Sequence, residues 1–544
     1  MTTDARRATW DKLRGPWDVI VVGGGITGAG VLREAARAGL KALLVEQKDF
    51  AWGTSSRSSK LVHGGLRYLK QADFRLTWES VREREELLRT GPGLVEPMKF
   101  LLPVYREDRP GMFILGVGMA IYDTLAGSWR HERYDGDAMH GLAPIMRREG
   151  LVGGYRYHDA TTDDARLVLR VLREAVAAGG TVVSYAEAVR LERGGGVVTG
   201  LHLRDTEGEL PDVMCPARAV INATGAFADA LRGEVGAPPR MRPLRGSHLV
   251  FSLSRFPVKD AIAMQHPVDR RAMFVYPWEG VAIVGTTDLD HDERLADEPA
   301  ITAAEAAYLM TAIERRFPSL GLSMADVVGT WSGVRPVVST GKKDPSKETR
   351  EHAIWDERGL ITVTGGKLTT FRLIARDALT VLRARIGKDF RVAPGPVLDR
   401  SLVDLDGAVP DDVAQRLVGR HGNAARELVE AAGEGELEGI GSAPFLWAEV
   451  RWAARHEWVI HLDDLLLRRA RIGLLLPNGA AAALPRVRTI CQAELGWTDA
   501  RWDDEQRRYL DLWSRCYAPP DRARVDAASR DASARVAAGA ASRS

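Results

Sequence analysis

Apolar residues near the start of the chain fall into two short runs separated by a helical pattern. Val19-Ile20-Val21-Val22 is one run and Ala42-Leu43-Leu44-Val45 the other. Runs this short, bounded by polar or glycine residues, predict buried strands. Between them, Ala29 to Leu40 has apolar residues at helical spacing with Gly39 at its end, which predicts a helix. The joint between strand and helix is Gly23-Gly24-Gly25-Ile26-Thr27-Gly28. Gly23 permits the tight turn, Gly25 lets the backbone approach a pyrophosphate, and Gly28 lets the helix pack close to the sheet. The unpaired N–H groups of the helix N-terminus then face the phosphates. Glu46 ends the second run, where a carboxylate accepts both hydroxyls of an adenosine ribose. An acid at 46 favours an unphosphorylated ribose, so FAD or NAD before NADP.

Further along, Trp52 to Gly65 is rich in Ser and Gly, and Arg75 to Leu88 reads as a charged helix with Val81, Leu87 and Leu88 as its apolar positions. Pro92, Pro97 and Pro103 predict turns and short extended pieces. Asp163 to Ala178 predicts a helix, and Thr181 to Val183 and Val197 to Arg204 predict strands. Ala219-Val220-Ile221-Asn222-Ala223-Thr224-Gly225 is an apolar strand running into Ala-Thr-Gly, a pattern of glutathione-reductase-type flavoproteins that puts Thr224 and Gly225 near the dinucleotide. No second GxGxxG is followed by a strand and an acid, which argues against a separate NAD(P)H domain. Electrons then come from a substrate bound directly against a flavin.

Residues 241 to 330 alternate strand-like runs (His248 to Leu253, Ala272 to Tyr276, Val281 to Gly285) with a helix at Ala303 to Phe317. Thr362 to Thr370 reads as a strand, a Gly pair and a helix start. Beyond 395 the pattern turns helical, most clearly over 449–476. The expected fold is α/β: a glutathione-reductase-type FAD-binding Rossmann domain (17–90, 145–240 and 331–394) with an inserted mixed-sheet substrate domain (91–144 and 241–330). A C-terminal helical domain (395–519) follows, and 520–544, lacking large apolar side chains, reads as a disordered tail.

At 544 residues the chain exceeds one hydrophobic core. A formal net charge of +2 gives no reason to expect nucleic acid. Cys215, Cys491 and Cys516 lie far apart, make no metal spacing, and read as reduced cytosolic thiols. Residues 1–16 carry no secretory signal. The longest uncharged stretch, Gly111 to Tyr122, is too short to span a bilayer and reads as a buried helix, against the alternative of a membrane-surface one.

Four stretches resemble the FAD-dependent, aerobic-type glycerol-3-phosphate dehydrogenases. They are Thr54 to Leu69 (containing Lys60-Leu61-Val62-His63-Gly64-Gly65-Leu66-Arg67-Tyr68), Gly285-Thr286-Thr287-Asp288, Ser332-Gly333-Val334-Arg335-Pro336 and Gly365-Gly366-Lys367-Leu368-Thr369-Thr370. With the opening motif, the resemblance covers roughly 17 to 380. Lys70 and Arg57 depart from it: many relatives carry an acid at the first and a small residue at the second. The resemblance implies FAD as cofactor and oxidation of sn-glycerol 3-phosphate to dihydroxyacetone phosphate, with a hydride going to the flavin and electrons then to a quinone. Such a substrate demands a dianion site, a proton acceptor and donors for developing alkoxide charge. Arg335 and Arg350 are the phosphate-binding candidates, since arginine matches phosphate bidentately. Arg67 is a third cation nearer the reacting carbon, with Tyr68 and Thr287 as hydrogen-bonding neighbours.

His63 is the candidate base, being the residue type that titrates nearest neutrality; the alternative is that it caps a turn. Lys367 is the candidate to hold the flavin's pyrimidine edge or to stabilise the alkoxide. His248 either approaches the substrate side of the flavin or is a core histidine. Thr54, Ser55, Ser59, Lys60, Gly65, Gly366, Leu368 and Thr369 complete the expected cofactor contacts beside Gly23, Gly25, Gly28 and Glu46. No metal site is expected. The competing readings are a glycerophosphate oxidase giving peroxide, a related flavin amine oxidase, and a non-catalytic FAD-binding protein. The short interval from Arg335 to Lys367 argues against the oxidase, and the Arg set against amine oxidation.

Family enzymes sit on the cytoplasmic face of the inner membrane, so the resemblance also implies a cytoplasmic, peripheral homodimer. Arg468, Arg469 and Arg471 beside Leu465 to Leu467 are the sequence candidate for membrane contact, against an ordinary packing helix.

Overall fold

The computed structural model describes residues 3–65, 73–126, 130–342, 348 and 351–530. The first of its two large sheets has six strands, β1 (Val19–Val22), β2 (Ala42–Val45), β3 (Thr181–Val183), β4 (Val220–Asn222), β5 (His352–Glu357) and β6 (Leu360–Gly365). Their spatial order is β5-β6-β4-β1-β2-β3, and every pairing is parallel except that of β5 with β6. Every residue of β1 and β2 is buried, as both faces of a parallel sheet must be covered. Helix Ile26–Arg37 covers one face, flanked by helices Asp164–Ala177 and Phe371–Ile386. Asp163 caps Asp164–Ala177 by accepting from the Arg166 amide. On the other face a three-stranded sheet (Ala186–Gly194, Val197–Asp205, Val213–Pro216) packs with Trp10, Leu13 and Trp17.

The chain leaves β1 toward β2 and β3 on one side and returns through β4 and β6 on the other. The order therefore reverses at β1, and a crevice opens at the carboxyl ends of the strands, where open α/β sheets bind ligands.

The second sheet is mixed. Strand Val95–Tyr105 pairs antiparallel with Leu151–Thr162 and parallel with Ala261–Gln265, while Met241–Ser252 lies between Val281–Gly285 and Val327–Val338. Division by sequence places 145–240 and 331–394 with the nucleotide unit. Leu151–Thr162 and Val327–Val338 instead belong to this second sheet, each drawn there by a long antiparallel partner. The expected breaks at Pro97 and Pro103 are also corrected. Both prolines sit inside the continuous strand Val95–Tyr105, outside Phe100 and Leu101, the residues paired with Ala261–Gln265. A missing N–H costs no ladder bond on an unpaired side.

Helices Trp447–His456, Leu484–Leu495 and Asp499–Cys516 pack on this sheet through Tyr276, Trp278, Trp331, Leu465, Leu466, Trp502 and Trp513. Three further expectations change. The helical stretch at 449–476 is broken, with the chain kinking after His456 and again at Arg471, whose φ is 57°. Residues 522–530 are helical rather than disordered, because Val525 is buried against the core of the second sheet; 531–544 lie outside the described residues. Helix Met112–Ala126 is buried on one face only: Met119 and Tyr122 are in the core, but Phe113, Ile114, Val117 and Ile121 are 83%, 63%, 48% and 38% exposed. Spaced at 113, 117 and 121, they form an apolar stripe along one face.

Leu465 to Leu467 with Arg468, Arg469 and Arg471 make no surface. All six side chains are buried. Arg468 and Arg469 both reach Asp49, and Arg471 donates to Asp164 and to the Ser56 carbonyl at 3.0 and 2.9 Å. The packing-helix alternative is the one realised. No helix among the described residues is long and apolar enough to cross a membrane.

Candidate active site

The carboxyl ends of β1, β2, β4 and β6 open onto one cavity of about 650 Å³. Val22, Gly23 and Gly25 line it from β1, Glu46 and Gln47 from β2, Thr224 and Gly225 from β4, and Gly366, Lys367 and Leu368 from β6. Two glycines of the opening turn are dictated sterically. A Cβ on Gly28 would stand 1.9 Å from the Gly23 oxygen, and one on Gly23 (φ 112°) 2.6 Å from the Ala223 oxygen on the adjoining strand end. Gly25 faces the cavity with the amide end of helix Ile26–Arg37, whose Ile26 N–H donates to the Ser55 hydroxyl at 3.0 Å.

Glu46 is fixed by the amides of Gly24 and Lys48, at 2.7 and 2.9 Å. Burial raises its pKa, against the pull of those two amides. Each of its oxygens retains a lone pair for a ligand hydroxyl. A strand-end carboxylate, a glycine turn feeding a helix N-terminus and a cavity of this volume fit an adenine dinucleotide.

The remaining expected contacts divide. Thr54 lines the cavity and bonds the Val334 carbonyl. Lys60 does not reach the cavity: it is fully buried, donating to Asp164 and the Ser56 carbonyl at 3.0 and 2.9 Å. Burial and the neighbouring Arg471 lower its pKa to about 8. Its expected role in holding the cofactor directly is therefore corrected to one inside an ion cluster behind the serine turn. Ser59 lies 2.8 Å from His248 Nε2 rather than in the cavity wall. Gly65 has a φ of 87° and is buried. Thr369 is buried, its hydroxyl 3.5 Å from the His63 carbonyl.

His248 stacks on Trp331, with centroids 4.9 Å apart. Burial first, then the charges of Arg335 and Lys60, hold its pKa well below the usual histidine value, so the ring is neutral. Arg335 points to the opposite side of its strand from the cavity-lining Val334 and Pro336. It pairs with Asp288 at 2.7 Å and lies 3.2 Å from the Thr286 hydroxyl, over Gly246 of the adjoining strand. Gly246 and His248 share that face, so Arg335, His248 and Ser59 form one polar group.

The Thr287 hydroxyl is not free for a substrate. It accepts from the Ser247 amide at 2.9 Å and donates to Glu305 at 2.7 Å. Thr286, not Thr287, is the hydroxyl beside Arg335.

Lys367 stands on the Gly365-Gly366 turn, both glycines at φ 74°, and donates to the Ser80 hydroxyl at 3.2 Å. Burial lowers its pKa to about 7, against the attraction of Asp73, Glu79 and Glu351. The half-buried His63 adjoins the same turn through Thr369. Arg67, Tyr68 and Arg350 lie outside the described residues.

Sequence reasoning missed the Asp288 partner of Arg335 and the Trp331 stack on His248. It also missed the part of the wall formed by Leu295, Pro299 and Phe227. Only Asp288, inside a motif already singled out, carried a sequence signal.

Residues 18–378 match the family model for FAD dependent oxidoreductases, and 367–502 match that for the C-terminal domain of alpha-glycerophosphate oxidase. The chain is 33% identical over 483 residues to the aerobic glycerol-3-phosphate dehydrogenase of Staphylococcus aureus strain MRSA252, covering 84% of this chain and 86% of that protein. Among solved structures, it is similar to the glycerol-3-phosphate dehydrogenase from Bacillus halodurans complexed with FAD. The TM-score is 0.75 at 26% identity, covering 94% of this chain and 97% of that one. A likeness of fold extends to the L-alpha-glycerophosphate oxidase from Mycoplasma pneumoniae, with a TM-score of 0.58 at 18% identity, covering 72% of this chain and 100% of that one.

Proposed function

Because the chain belongs to the FAD-dependent oxidoreductases, in the family of the aerobic glycerol-3-phosphate dehydrogenases, we propose that it oxidises the C2 hydroxyl of sn-glycerol 3-phosphate to the ketone of dihydroxyacetone phosphate. FAD, when bound, supplies the acceptor for the hydride that leaves C2. The observation that carries the cofactor assignment is the convergence of four strand ends on one cavity with Glu46 at its wall. Glu46 takes the ribose hydroxyls, the Gly25–Ile26 helix start takes the pyrophosphate, and Gly366 to Leu368 take the flavin end.

Arg335 is the phosphate anchor of this reading. Its partly exposed guanidinium pairs with Asp288 and adjoins the Thr286 hydroxyl, and its planar fork has the geometry that matches phosphate oxygens. Arg67 and Arg350 join it through the family resemblance. His63 is the residue proposed to take the hydroxyl proton, and Lys367, on the adjoining turn, stabilises negative charge developing on that oxygen. The neutral, stacked His248 orients the substrate side through Ser59.

The electrons are proposed to pass to a quinone at a membrane surface on the cytoplasmic side. The exposed stripe of helix Met112–Ala126 supports contact with lipid: four large apolar side chains on one face, flanked by the exposed Arg109 and Arg130. Such a helix lies in the interface with its apolar side among acyl chains and basic groups near anionic headgroups.

Anaerobic addition of glycerol 3-phosphate to the yellow holoenzyme should bleach the flavin absorbance. A quinone analogue should then restore the colour faster than oxygen does. Absence of bleaching would refute the substrate, and faster recovery with oxygen would favour the peroxide-forming oxidase.

A further inference from the structure

Residues 291–300 form a strap along one wall of the cavity. Leu295 and Pro299 face inward and line the wall, whereas Asp292, Glu293, Arg294, Ala296 and Asp297 face solvent. The start of this strap is tied down by the His291 amide, which donates to the Pro243 carbonyl at 3.0 Å, and by the 2.8 Å ion pair of Glu293 with Arg245. Three further attachments hold its far half, all from residues distant in sequence. The Lys48 ammonium, two residues beyond Glu46, donates to the Ala296 carbonyl at 2.6 Å while lying 3.6 Å over the Trp52 ring. Glu298 turns into the protein and is gripped from two sides, by the Arg57 guanidinium and by the Tyr517 hydroxyl. The Cys516 thiol adds a contact to the Glu298 carbonyl at 3.5 Å.

Tyr517 lies just beyond helix Asp499–Cys516, and its carbonyl accepts the Thr330 amide at 2.7 Å, which seats it on the second sheet. Arg57, the residue that departs from the family pattern, also lines the cavity and lies over Trp52 at 4.8 Å. The grip therefore joins the cavity wall, the strap and the C-terminal region at one buried carboxylate.

We propose that the C-terminal region latches the cofactor: Tyr517 and Arg57 clamp Glu298, Lys48 holds Ala296, and the strap 291–300 must lift from this grip for FAD to leave. The inference rests on the cavity being the FAD site, and it gives the C-terminal helices a part in retaining the cofactor. Desolvation explains why a single carboxylate suffices. Glu298 is buried, yet Arg57 and the Tyr517 hydroxyl overcome that burial and hold its pKa below the usual carboxylate value. A buried carboxylate that loses a charge-assisted partner is left under-satisfied, so the closed position loses its advantage.

The test is the rate of FAD release from the holoenzyme on dilution, followed by the fluorescence of the freed flavin. Tyr517→Phe removes only the hydroxyl and Lys48→Met only the ammonium. Each should speed release by about tenfold, the scale of one hydrogen bond to a charged group, and the pair by more. Trp513→Phe serves as control: it cuts the Trp513 to Gly473 hydrogen bond of 2.8 Å inside the C-terminal region without touching the strap. Its release rate should stay at the wild-type value. The latch is overturned if the double variant releases FAD at the wild-type rate, or if Trp513→Phe speeds release as much as Tyr517→Phe. No substrate enters the measurement, so its failure is separate from a failure to oxidise glycerol 3-phosphate.

Discussion

Lys367→Met removes an ammonium that the fold holds against its preference for water. In an unfolded chain this group would titrate near 10.5, whereas burial on the Gly365-Gly366 turn brings it to about 7. At about 1.36 kcal/mol per pKa unit, keeping the charged form inside costs the folded state up to about 4.8 kcal/mol. The sign follows from linkage. Below pH 7 the lysine is protonated in both states and the full penalty is present. Between pH 7 and 10.5 the folded state has released the proton while the unfolded chain keeps it, so stability rises with pH. Methionine carries no such penalty, but it gives up the hydrogen bond to Ser80, worth about 1 kcal/mol at any pH. The variant apoprotein should therefore exceed wild type by up to about 4 kcal/mol at pH 6, and that advantage should shrink by about 3.4 kcal/mol by pH 9.5. Urea unfolding of both apoproteins across this range measures the difference. A stability difference independent of pH would show that Lys367 is not held in a depressed state, and the role proposed for it beside the reacting oxygen would need another basis.

Arg335→Ala should raise KM for glycerol 3-phosphate roughly 10- to 100-fold, the loss expected for a charge-assisted contact to phosphate, with FAD content unchanged; an unaltered KM in steady-state assays would remove Arg335 from the phosphate site. Phe113→Asp combined with Ile114→Asp should abolish sedimentation with anionic vesicles, since burying two such side chains is worth roughly 3–6 kcal/mol. Turnover with a soluble dye acceptor should persist, and vesicle binding that survives both changes would place the lipid contact elsewhere.

The parts of this molecule legible in its sequence are those whose determinants are local. Gly23, Gly28 and Glu46 act within one βαβ turn, and each shows its reason in the structure as a clash avoided or a pair of amides satisfied. Thr224 and Gly366 were readable because strand ends next to a glycine must face the crevice of a parallel sheet. Periodicity failed where partners came from afar. Val95–Tyr105 tolerates two prolines because its neighbour on one side is short, a fact of sheet order and not of composition. Thr287 sits in a well-marked motif, yet Glu305 on a distant helix captures its hydroxyl. Gly111 to Tyr122 has the composition of a core helix, and only the placement of the second sheet leaves half of it facing outward.

Arginines beside leucines in the 465–471 run show the same limit from the other side. An exposed amphipathic helix and a buried ionic seam can share one composition, because the difference lies in whether carboxylates wait at the far end of each guanidinium. Here Asp49, Asp163 and Asp164 do, all three from the nucleotide-binding half of the chain. Such pairs are weak evidence for stability, since well-packed apolar residues in their place can be equally stable. What an apolar residue could not do is donate to the Ser56 carbonyl, as Arg471 does. That bond fixes the backbone of the serine turn between Thr54 and Ser58, two residues of the cavity wall. The seam therefore sets the position of the proposed cofactor cradle from behind, while Tyr517 holds the strap that contributes Leu295 and Pro299 to its wall.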